Sequence, residues 1–463
     1  MVYRKRFSIL LKESGTAHNN NMSRASRQPR LQALAAMAIV GAVILGGCAS
    51  DSQRGQRLAE TGLKISQNPV REVRIQDATA YQNIVEATRV AGVELFRQSS
   101  GANAVVSPSS FMVALSMLAD GAKGETLKEL ENLIGAKGDL RRDAFAAFRG
   151  TLQRFAGNPE IVQSPELPDS PILHLATQVV VDDLLIPAEP YLDILAEVYD
   201  AGVQHLDLGS TKGKLALDKW VKENSGGLVK KSAIKPNADL RLVLQDVIVL
   251  AARWAQPFDK YDTASREFTL ADGNKISIAT MVKYDRKFAL AKVDGWQAIR
   301  LPYAGDELHA DFLLPPIGID PASATPELLI ALDNALQKAT PQLVYVQIPK
   351  LDIRPESPLD LTDPIAALGA PTVLARDGIP DLTGIGRDIA GGTLYLSQAW
   401  QQAVLQVDEA GTRAAAVTEL GIHVESAPLL PDRKIVFDRP FAIVIAHTET
   451  SWPLFQAVVR DPR

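Results

Sequence analysis

The sequence is poor in cysteine. Its 463 residues contain a single one, Cys48, so a disulfide framework is impossible and a thiol nucleophile elsewhere is excluded. The six histidines are scattered, and we find no H-E-x-x-H, G-x-S-x-G, C-x-x-C or G-x-x-x-x-G-K-[ST] motif. The sequence therefore predicts a protein that is not an enzyme and that uses no metal or other cofactor.

The sequence also lacks a strong excess of charge of one sign. Its 49 Lys and Arg against 54 Asp and Glu give a net charge of -5, and no basic patch stands out. We therefore expect no nucleic-acid partner. No tandem repeat and no linker-like break occurs in residues 79–463, and a hydrophobic content of 46% is that of an ordinary globular domain. These residues are predicted to form one domain, and the protein is expected to be a monomer.

The amino terminus has the pattern of a secretion signal. A basic region precedes an apolar run, residues 31–47, that is short for a transmembrane helix. The run ends in L-G-G-C, which resembles the lipobox of bacterial lipoproteins, and the lipidated residue would be Cys48. We predict a lipoprotein signal peptide over residues 1–47, with translation from Met22 rather than Met1 as a further hypothesis. The alternative is a signal peptide without lipidation and a chance cysteine.

The residues after Cys48 are polar and predict a lipidated tether over 48–78. In bacterial sorting, aspartate directly after the lipidated cysteine retains a lipoprotein at the inner membrane. Ala49 occupies that place here, which favours the outer membrane. We therefore expect an outer-membrane lipoprotein, held to the membrane by acyl chains on Cys48 and facing either the periplasm or the surface.

Hydrophobic periodicity predicts alternating helices and strands beyond the tether. The apolar run 242–254 has the composition of a strand buried on both faces. Ser107 is the expected N-cap of a helix that begins at Pro108 and ends at Gly121. Further helices are predicted at 81–98, 189–199, within 212–230 and at 360–368, and further strands at 175–181, 203–208, 281–291, 296–303, 308–315 and 344–351.

The segment 407–426 alternates with period two, which is typical of a strand with one buried face. Alanines and glycines are poor strand formers, so the segment is only weakly committed to that state. This combination suggests a loop that can enter a sheet. One parity is small or apolar, and the other carries the charges; the first comprises Thr412, Ala414, Ala416, Thr418, Leu420, Ile422 and Val424, and the second includes Gly411, Arg413, Ala415, Glu419 and Glu425.

Several motifs in this chain resemble those of the serpins. E-A-G-T-R-A-A-A-V-T at 409–418 resembles the hinge of the serpin reactive-centre loop. F-D-R-P-F at 437–441 and L-F-Q-A-V-V-R-D-P at 454–462 are similar to the closing strands, and residues 103–126 match the first strand and second helix. The resemblance implies a mixed α+β fold, the serpin fold, for residues 79–463, with three β-sheets, about nine helices and an exposed reactive-centre loop at about 409–434.

The resemblance also assigns residues to two latches of the main sheet. At the loop's point of entry, called the breach, Lys350 and Glu409 match an ion pair and Trp254 matches a packed tryptophan. Under the centre of the sheet, called the shutter, serpins commonly place an Asn and a His. Here those positions match Asp246 and Gln401, near Ser107 and Ser110, which suggests an amide-to-carboxylate bond. A partly solvated Asp246 with no such role is the alternative.

The function implied by the resemblance is suicide inhibition of serine proteases, with cysteine proteases left open as targets. The protease forms an acyl-enzyme with the loop, and the cleaved hinge then enters the main sheet as a strand. The small inward residues and the absence of proline or charge on that parity up to Val424 suit this mechanism. The hinge residues are Glu409, Gly411, Thr412, Ala414, Ala415, Ala416 and Thr418.

The family's usual spacing from Glu409 predicts a reactive bond between Glu425 and Ser426, which would suit a protease that prefers acidic residues. The segment before residue 437 is longer than usual, so three apolar residues remain alternatives that would suit elastase- or subtilisin-like enzymes: Val424, Leu429 and Leu430. Two other functions stay open. One is a non-inhibitory serpin that acts as a surface binding or structural protein, and the other is a carrier of small hydrophobic ligands.

Overall fold

The computed structural model describes residues 63–64, 66–99, 101–354, 357–376, 380–413, 431 and 433–463. The chain divides into two compact units, Met1–Leu45 and Gly46–Arg463, and every described residue belongs to the second. Among these residues we find no helix whose length and apolarity would let it span a bilayer.

The described residues contain eight α-helices. They are α1 Tyr81–Gln98, α2 Pro108–Gly121, α3 Gly124–Ile134, α4 Gly138–Leu152, α5 Glu189–Tyr199, α6 Thr211–Asn224, α7 Pro326–Lys338 and α8 Thr362–Ala367. The start of α2 follows from its sequence: the Ser107 hydroxyl accepts a hydrogen bond from Ser110 N at 3.3 Å, and Pro108, which has no N–H to leave unpaired, comes first. Gly135, with a φ of 81°, ends α3 in a left-handed conformation that favours glycine.

The strands form three larger sheets and two ribbons. In chain order they are β1 Leu63–Lys64, β2 Asn103–Val106, β3 Ile172–Asp182, β4 Leu185–Pro187, β5 Val203–Leu206, β6 Leu242–Arg253, β7 Ala264–Thr269, β8 Lys275–Lys283, β9 Lys287–Val293, β10 Trp296–Pro302, β11 Leu308–Leu314, β12 Gln342–Leu343, β13 Tyr345–Pro349, β14 Leu351–Ile353, β15 Leu359–Asp360, β16 Gly386–Asp388, β17 Trp400–Gln401, β18 Leu405–Val407, β19 Gly411–Arg413, β20 Lys434–Val436, β21 Phe441–His447 and β22 Pro453–Val459.

The main sheet has the order β1-β5-β3-β6-β19-β18-β14. The second sheet has the order β12-β9-β10-β11-β21-β22-β2, and the third has the order β20-β13-β8-β7. The two ribbons pair β15 with β17 and β4 with β16. The chain runs through the main sheet as β18 and β19, and it resumes in the third sheet as β20.

Strand β6 is covered on both faces. Leu244 and Ile248 belong to the large core, whereas Val247 and Val249 pack with Val221 of α6 in a separate cluster. A strand covered in this way needs apolar residues on both parities, which is the pattern of the run 242–254. The prediction of a doubly buried strand is confirmed.

The fold class predicted from the sequence is confirmed: α-helices and three larger sheets make a mixed architecture around one extended core. One strand prediction was wrong. The span 281–291 is not one strand but the end of β8 and most of β9, separated by a turn at residues 284–286. Asp285 and Arg286 are exposed there, and this short polar break ends the first strand.

Candidate functional site

The hinge of the reactive-centre loop begins inside the main sheet. β19 lies between β6 and β18 and is antiparallel to both, with Thr412 opposite Ala252 on one side and Val407 on the other. Gly411 is required by this close approach, because a Cβ there would lie 2.0 Å from the Ala252 carbonyl oxygen. Residues 411–413, the first part of the predicted hinge, therefore form a strand of the main sheet in this structure.

Thr412 is held at the top of the sheet by a buried hydroxyl pair. Thr412 is 2% exposed, and its Oγ1 lies 2.6 Å from the hydroxyl of Tyr303. The Tyr303 ring stacks on Trp254 with the ring centroids 4.6 Å apart and an interplanar angle of 8°. Burial raises the pKa of Tyr303, so the phenol stays protonated and can donate to Thr412.

The predicted breach residues meet at the base of the hinge. Lys350 Nζ lies 2.9 Å from Glu409 Oε2, and Trp254 Nε1 donates to the Asp408 carbonyl at 3.0 Å. Thr263 was not predicted, yet its Oγ1 donates to Glu409 Oε1 at 2.7 Å. Burial alone would raise the pKa of Glu409, but the hydrogen bonds from Lys350 and Thr263 hold it below its usual value. The carboxylate is therefore ionised and doubly restrained.

The backbone around Trp254 adds further contacts to the hinge. Trp254 N donates to the Ala410 carbonyl at 2.9 Å, and Phe258 N donates to the Glu409 carbonyl at 2.9 Å. The Asp408 carboxylate accepts from Ala410 N at 2.8 Å and closes the turn that reverses the chain from β18 into β19. These contacts join β6, β18 and the hinge into one unit at the upper end of the sheet.

Below β19, β6 lies directly beside the chain that leads to the loop. The two do not form a continuous ladder of backbone hydrogen bonds there. At the lower end of the slot between them, Leu244 and Ala399 form an isolated parallel bridge. Between this bridge and β18, residues 402–404 belong to no strand and line a narrow cavity against residues 247–250 of β6. β19 thus occupies the upper end of the slot, and the Leu244–Ala399 bridge closes its lower end.

The predicted shutter residues also come together. The Gln401 side-chain amide is satisfied by the backbone of Ser107: Ser107 N donates to Oε1 at 2.8 Å, and Nε2 donates to the Ser107 carbonyl at 2.9 Å. Asp246 Oδ1 accepts from Thr177 Oγ1 at 3.1 Å. Gln401 therefore ties the strand that leads to the loop to the start of α2, and Asp246 ties β6 to β3.

Asp246 has an unusual acidity for an aspartate. It lies on the same parity of β6 as Leu244 and Ile248, and this parity faces the main core. Burial of the carboxyl group raises its pKa to about 7, although the hydrogen bond from Thr177 and the nearby polar side chains of Ser110 and Gln401 oppose the shift. The carboxyl group therefore changes its charge near neutral pH, directly beside the seam that the hinge would have to open.

Several predicted site residues lie outside the described part of the chain. These are Ala414, Ala415, Ala416, Thr418, Val424, Glu425, Ser426, Leu429, Leu430 and the lipidation residue Cys48. Their assigned roles stay predictions.

One group of potential metal ligands occurs among the described residues. His309, Asp311 and Asp333 bring one ligand atom each to within 4.8 Å of the others. Both carboxylates are already paired with arginines: Arg300 Nη2 lies 2.6 Å from Asp311 and 2.7 Å from Asp333, and Arg89 Nη2 lies 2.7 Å from Asp333. Two guanidinium groups at this distance oppose a further cation, so the group is a salt-bridge network.

The main sheet thus holds the short strand β19 between β6 and β18, with an isolated bridge below it. The family model described as Serpin (serine protease inhibitor) matches residues 87–462. The chain therefore belongs to the serpin family, whose members are generally protease inhibitors rather than enzymes and bind target proteases.

The relatives span nearly the whole family domain. Human neuroserpin (Homo sapiens) is 26% identical over 375 residues, covering 78% of this chain and 86% of neuroserpin. Serpin-ZXA from Oryza sativa subsp. japonica is 28% identical over 374 residues, covering 78% and 91% of the two chains. The native-state structure of tengpin, a thermophilic serpin, superposes with a TM-score of 0.69 at 22% identity, covering 86% and 97%. This last match shows the serpin fold.

We predict that Asp246→Asn removes a pH-dependent loss of stability. The pKa of Asp246 is about 7 in the folded protein, above the ordinary value of about 4 in the unfolded chain. Between these values the folded protein keeps a proton that the unfolded chain releases, so the free energy of unfolding falls as the pH rises from about 4 to about 7 and is level above. At one pKa unit per about 1.4 kcal/mol, the wild type should lose about 3 kcal/mol relative to the variant between pH 4.5 and pH 8.

The measurement is urea unfolding of both proteins at the two pH values. Comparing them at each pH cancels the contributions of other titrating groups. Asp239→Asn, at an exposed position before β6, is the matched control and should follow the wild type. An equal difference between wild type and Asp246→Asn at both pH values would contradict the prediction.

Proposed function

We propose that this serpin is a suicide inhibitor of serine proteases, with cysteine proteases left open as targets. The protease nucleophile attacks the carbonyl of the reactive bond, the new amino terminus leaves, and the loop stays attached as an acyl ester or thioester. The freed hinge then inserts between β6 and β18. The observation that carries this proposal is the position of β19 in that slot, with Thr412 already paired on both sides.

The register of β19 supports a continuation of the same strand. Each further residue would advance about 3.3 Å along the slot, so about sixteen residues would carry the attached protease roughly 50 Å. Continued residue by residue, the register would place Ala414 between Leu250 and Leu405, Ala416 between Ile248 and Ala403, and Thr418 between Asp246 and Gln401. These three loop residues are small, and the polar one, Thr418, would lie between two polar side chains.

A buried glutamine beside the slot favours the inserted state. Gln245 is 3% exposed, and its side-chain amide has no hydrogen-bond partner within the described residues. An unpaired buried amide costs about 1–3 kcal/mol. The register of β19, continued along the slot, would bring Glu419 beside Gln245. A hydrogen bond from the Gln245 amide to Glu419 would lower the free energy of the inserted state relative to the present one.

Insertion would stall the protease by displacing it. A shift of about 1 Å in the position of reacting groups can reduce a rate about a hundredfold. A protease pulled to the far end of the sheet would therefore hydrolyse its ester slowly. The work would come from the new ladder hydrogen bonds and from burial of the inward residues.

We place the reactive bond at Glu425–Ser426, with Val424, Leu429 and Leu430 as the alternatives. A glutamate before the bond would select glutamyl-specific proteases, whereas the apolar residues would select elastase- or subtilisin-like ones. The second candidate function is a non-inhibitory serpin that serves as a surface binding or structural protein. Such a protein would be cut in its loop without trapping the protease.

The test of the trap is a pair of hinge variants. Thr412→Arg would place a long cation where Thr412 is 2% exposed against Tyr303, so insertion should fail. We expect the covalent adduct to fall at least about tenfold while loop cleavage continues, because the loop remains a substrate. Thr412→Ser, which keeps a small side chain and a hydroxyl opposite Tyr303, is the matched control and should form the adduct within about twofold of wild type.

The proteins are mixed with glutamyl-specific, elastase-like, subtilisin-like and trypsin-like serine proteases and separated on a denaturing gel. The mass of the released carboxy-terminal peptide identifies the reactive bond. Loop cleavage of the wild type without an adduct from any of these proteases would favour the non-inhibitory function. Equal adduct from both variants would contradict insertion at Thr412.

We also propose that the mature protein is an outer-membrane lipoprotein of a bacterium, anchored through acyl chains on Cys48. The support is the L-G-G-C motif after a basic and apolar signal and the alanine at position 49. Produced in a Gram-negative host, the wild type should sediment with outer membranes and carry acyl chains on its amino-terminal peptide. Cys48→Ser should remain soluble. An unmodified Cys48, or the same distribution of both proteins, would contradict the anchor.

A further inference from the structure

The ribbon of β4 and β16 has an apolar outer face. Arg387 lies opposite Ile186, and Ile389 N donates to the Leu184 carbonyl at 2.8 Å, so these four side chains lie on one face of the ribbon. Leu184, Ile186 and Ile389 are 41%, 45% and 55% exposed. Large apolar side chains that are exposed singly are ordinary, but three adjacent ones on one small face indicate a contact surface.

This apolar face lies at the end of the main sheet that is remote from the hinge. β3 is antiparallel to β6: Ile172 lies opposite Ala251 beside the hinge, and Val181 lies opposite Leu242 at the other end. β4 follows directly after β3 at that remote end. The 12 residues of β6 span about 40 Å at about 3.3 Å per residue, which separates the ribbon from the entry point of the loop.

The amino-terminal segment joins the domain at the same remote end. β1 pairs with β5 in the antiparallel sense, with Leu63 opposite Gln204, so the chain enters β1 from the Leu206 end of β5. Leu206 is paired with Asp182, whose carboxylate accepts hydrogen bonds from Leu184 N at 3.1 Å and from Leu208 N at 3.0 Å. The Asp182 carboxylate thus links the point where the amino-terminal segment enters the domain to the apolar face.

The residues after β1 fix this path along the surface. Ser66 Oγ donates to Asp193 at 2.5 Å, Asn68 Nδ2 donates to Glu197 at 2.9 Å, and Arg71 Nη1 lies 2.9 Å from Asp143. Asp193 and Glu197 belong to α5, the helix that follows β4. The described residues 66–71 are therefore held against the domain by these contacts.

From these positions we propose that the face formed by Leu184, Ile186 and Ile389 docks onto the surface of a lipid bilayer. The inference rests on the lipid anchor at Cys48 proposed above. About fifteen residues separate Cys48 from Leu63, and a flexible chain of this length has an average end-to-end distance of about 20 Å. The anchor thus keeps the apolar face close to the bilayer, and the three side chains can enter the interface.

The charges around the face are mixed. Arg387 is exposed beside Ile186 and can contact lipid phosphates, whereas the exposed Asp183 and Glu189 flank it. The contact is therefore apolar in its main part and does not depend on anionic lipid. Docking in this way directs the hinge and its loop away from the membrane, toward proteases in the surrounding medium.

The test uses the full lipidated chain in vesicles of phosphatidylethanolamine and phosphatidylglycerol. Ile389→Cys is labelled with an environment-sensitive fluorophore, because acylation leaves Cys48 unreactive. Tyr261→Cys is the matched control: Tyr261 is 48% exposed and lies near Thr263, at the hinge end. We expect emission at 389 to shift to the blue and to be quenched by nitroxide-labelled lipid at least about threefold more than emission at 261. Adding Leu184→Asp and Ile186→Asp should reduce quenching at 389 to the level at 261.

Each other outcome overturns the inference in a distinguishable way. Equal quenching at 389 and 261 in a chain that is anchored would refute the docking face and leave the anchor intact. A chain that carries no lipid and stays off the vesicles would refute both. A blue shift without vesicles that grows with protein concentration would assign the face to a second copy of the chain. Adduct formation with a protease is measured on the Cys48→Ser chain without vesicles and reports on the inhibitory function independently, because a trapped protease would arrive at the same end of the sheet as the apolar face.

Discussion

The pairing of Thr412 with Ala252 and Val407 is the contact on which the rest of the structure depends. It joins the reactive-centre loop to the main sheet before any protease has acted. Glu409, Lys350 and Thr263 restrain the chain immediately before it, and the Leu244–Ala399 bridge holds the slot closed below. Within the described residues β19 ends at Arg413, and the slot below it is open to a longer strand. The proposed trap draws its free energy from filling that part of the slot.

The shutter residues hold the strands on either side of the slot below β19. Gln401 is hydrogen-bonded to the backbone of Ser107, and Asp246 is hydrogen-bonded to Thr177. The strand that leads to the loop is thereby held to the start of α2, and β6 is held to β3. A carboxyl group that ionises near pH 7 at this place makes the stability of the folded protein depend on pH below neutrality. A neutral amide at the same position would have no such dependence.

The sequence predicted most elements whose periodicity is undisturbed, including α1 and α5 with their bounds. It was wrong at 281–291, because the exposed pair Asp285 and Arg286 breaks an otherwise apolar run into β8 and β9. The breach residues Lys350 and Glu409 could be named from the family resemblance, and they lie together. Thr263 and Tyr303 could not, because only the tertiary fold brings them to the hinge from distant parts of the chain. The entry of β19 was also beyond prediction, since the same alternation of residues suits a free loop and an inserted strand.

The central claim is that the present state is less stable than the one with a completed strand. Thermal unfolding of the protein before and after a single cut in its reactive-centre loop tests it most directly. About ten additional ladder hydrogen bonds, each contributing about 1 kcal/mol, should raise the Tm by about 10 °C in a domain of this size. A cleaved protein that unfolds at the same temperature as the intact one would contradict the account, because cleavage would then have added no stabilising contacts to the main sheet.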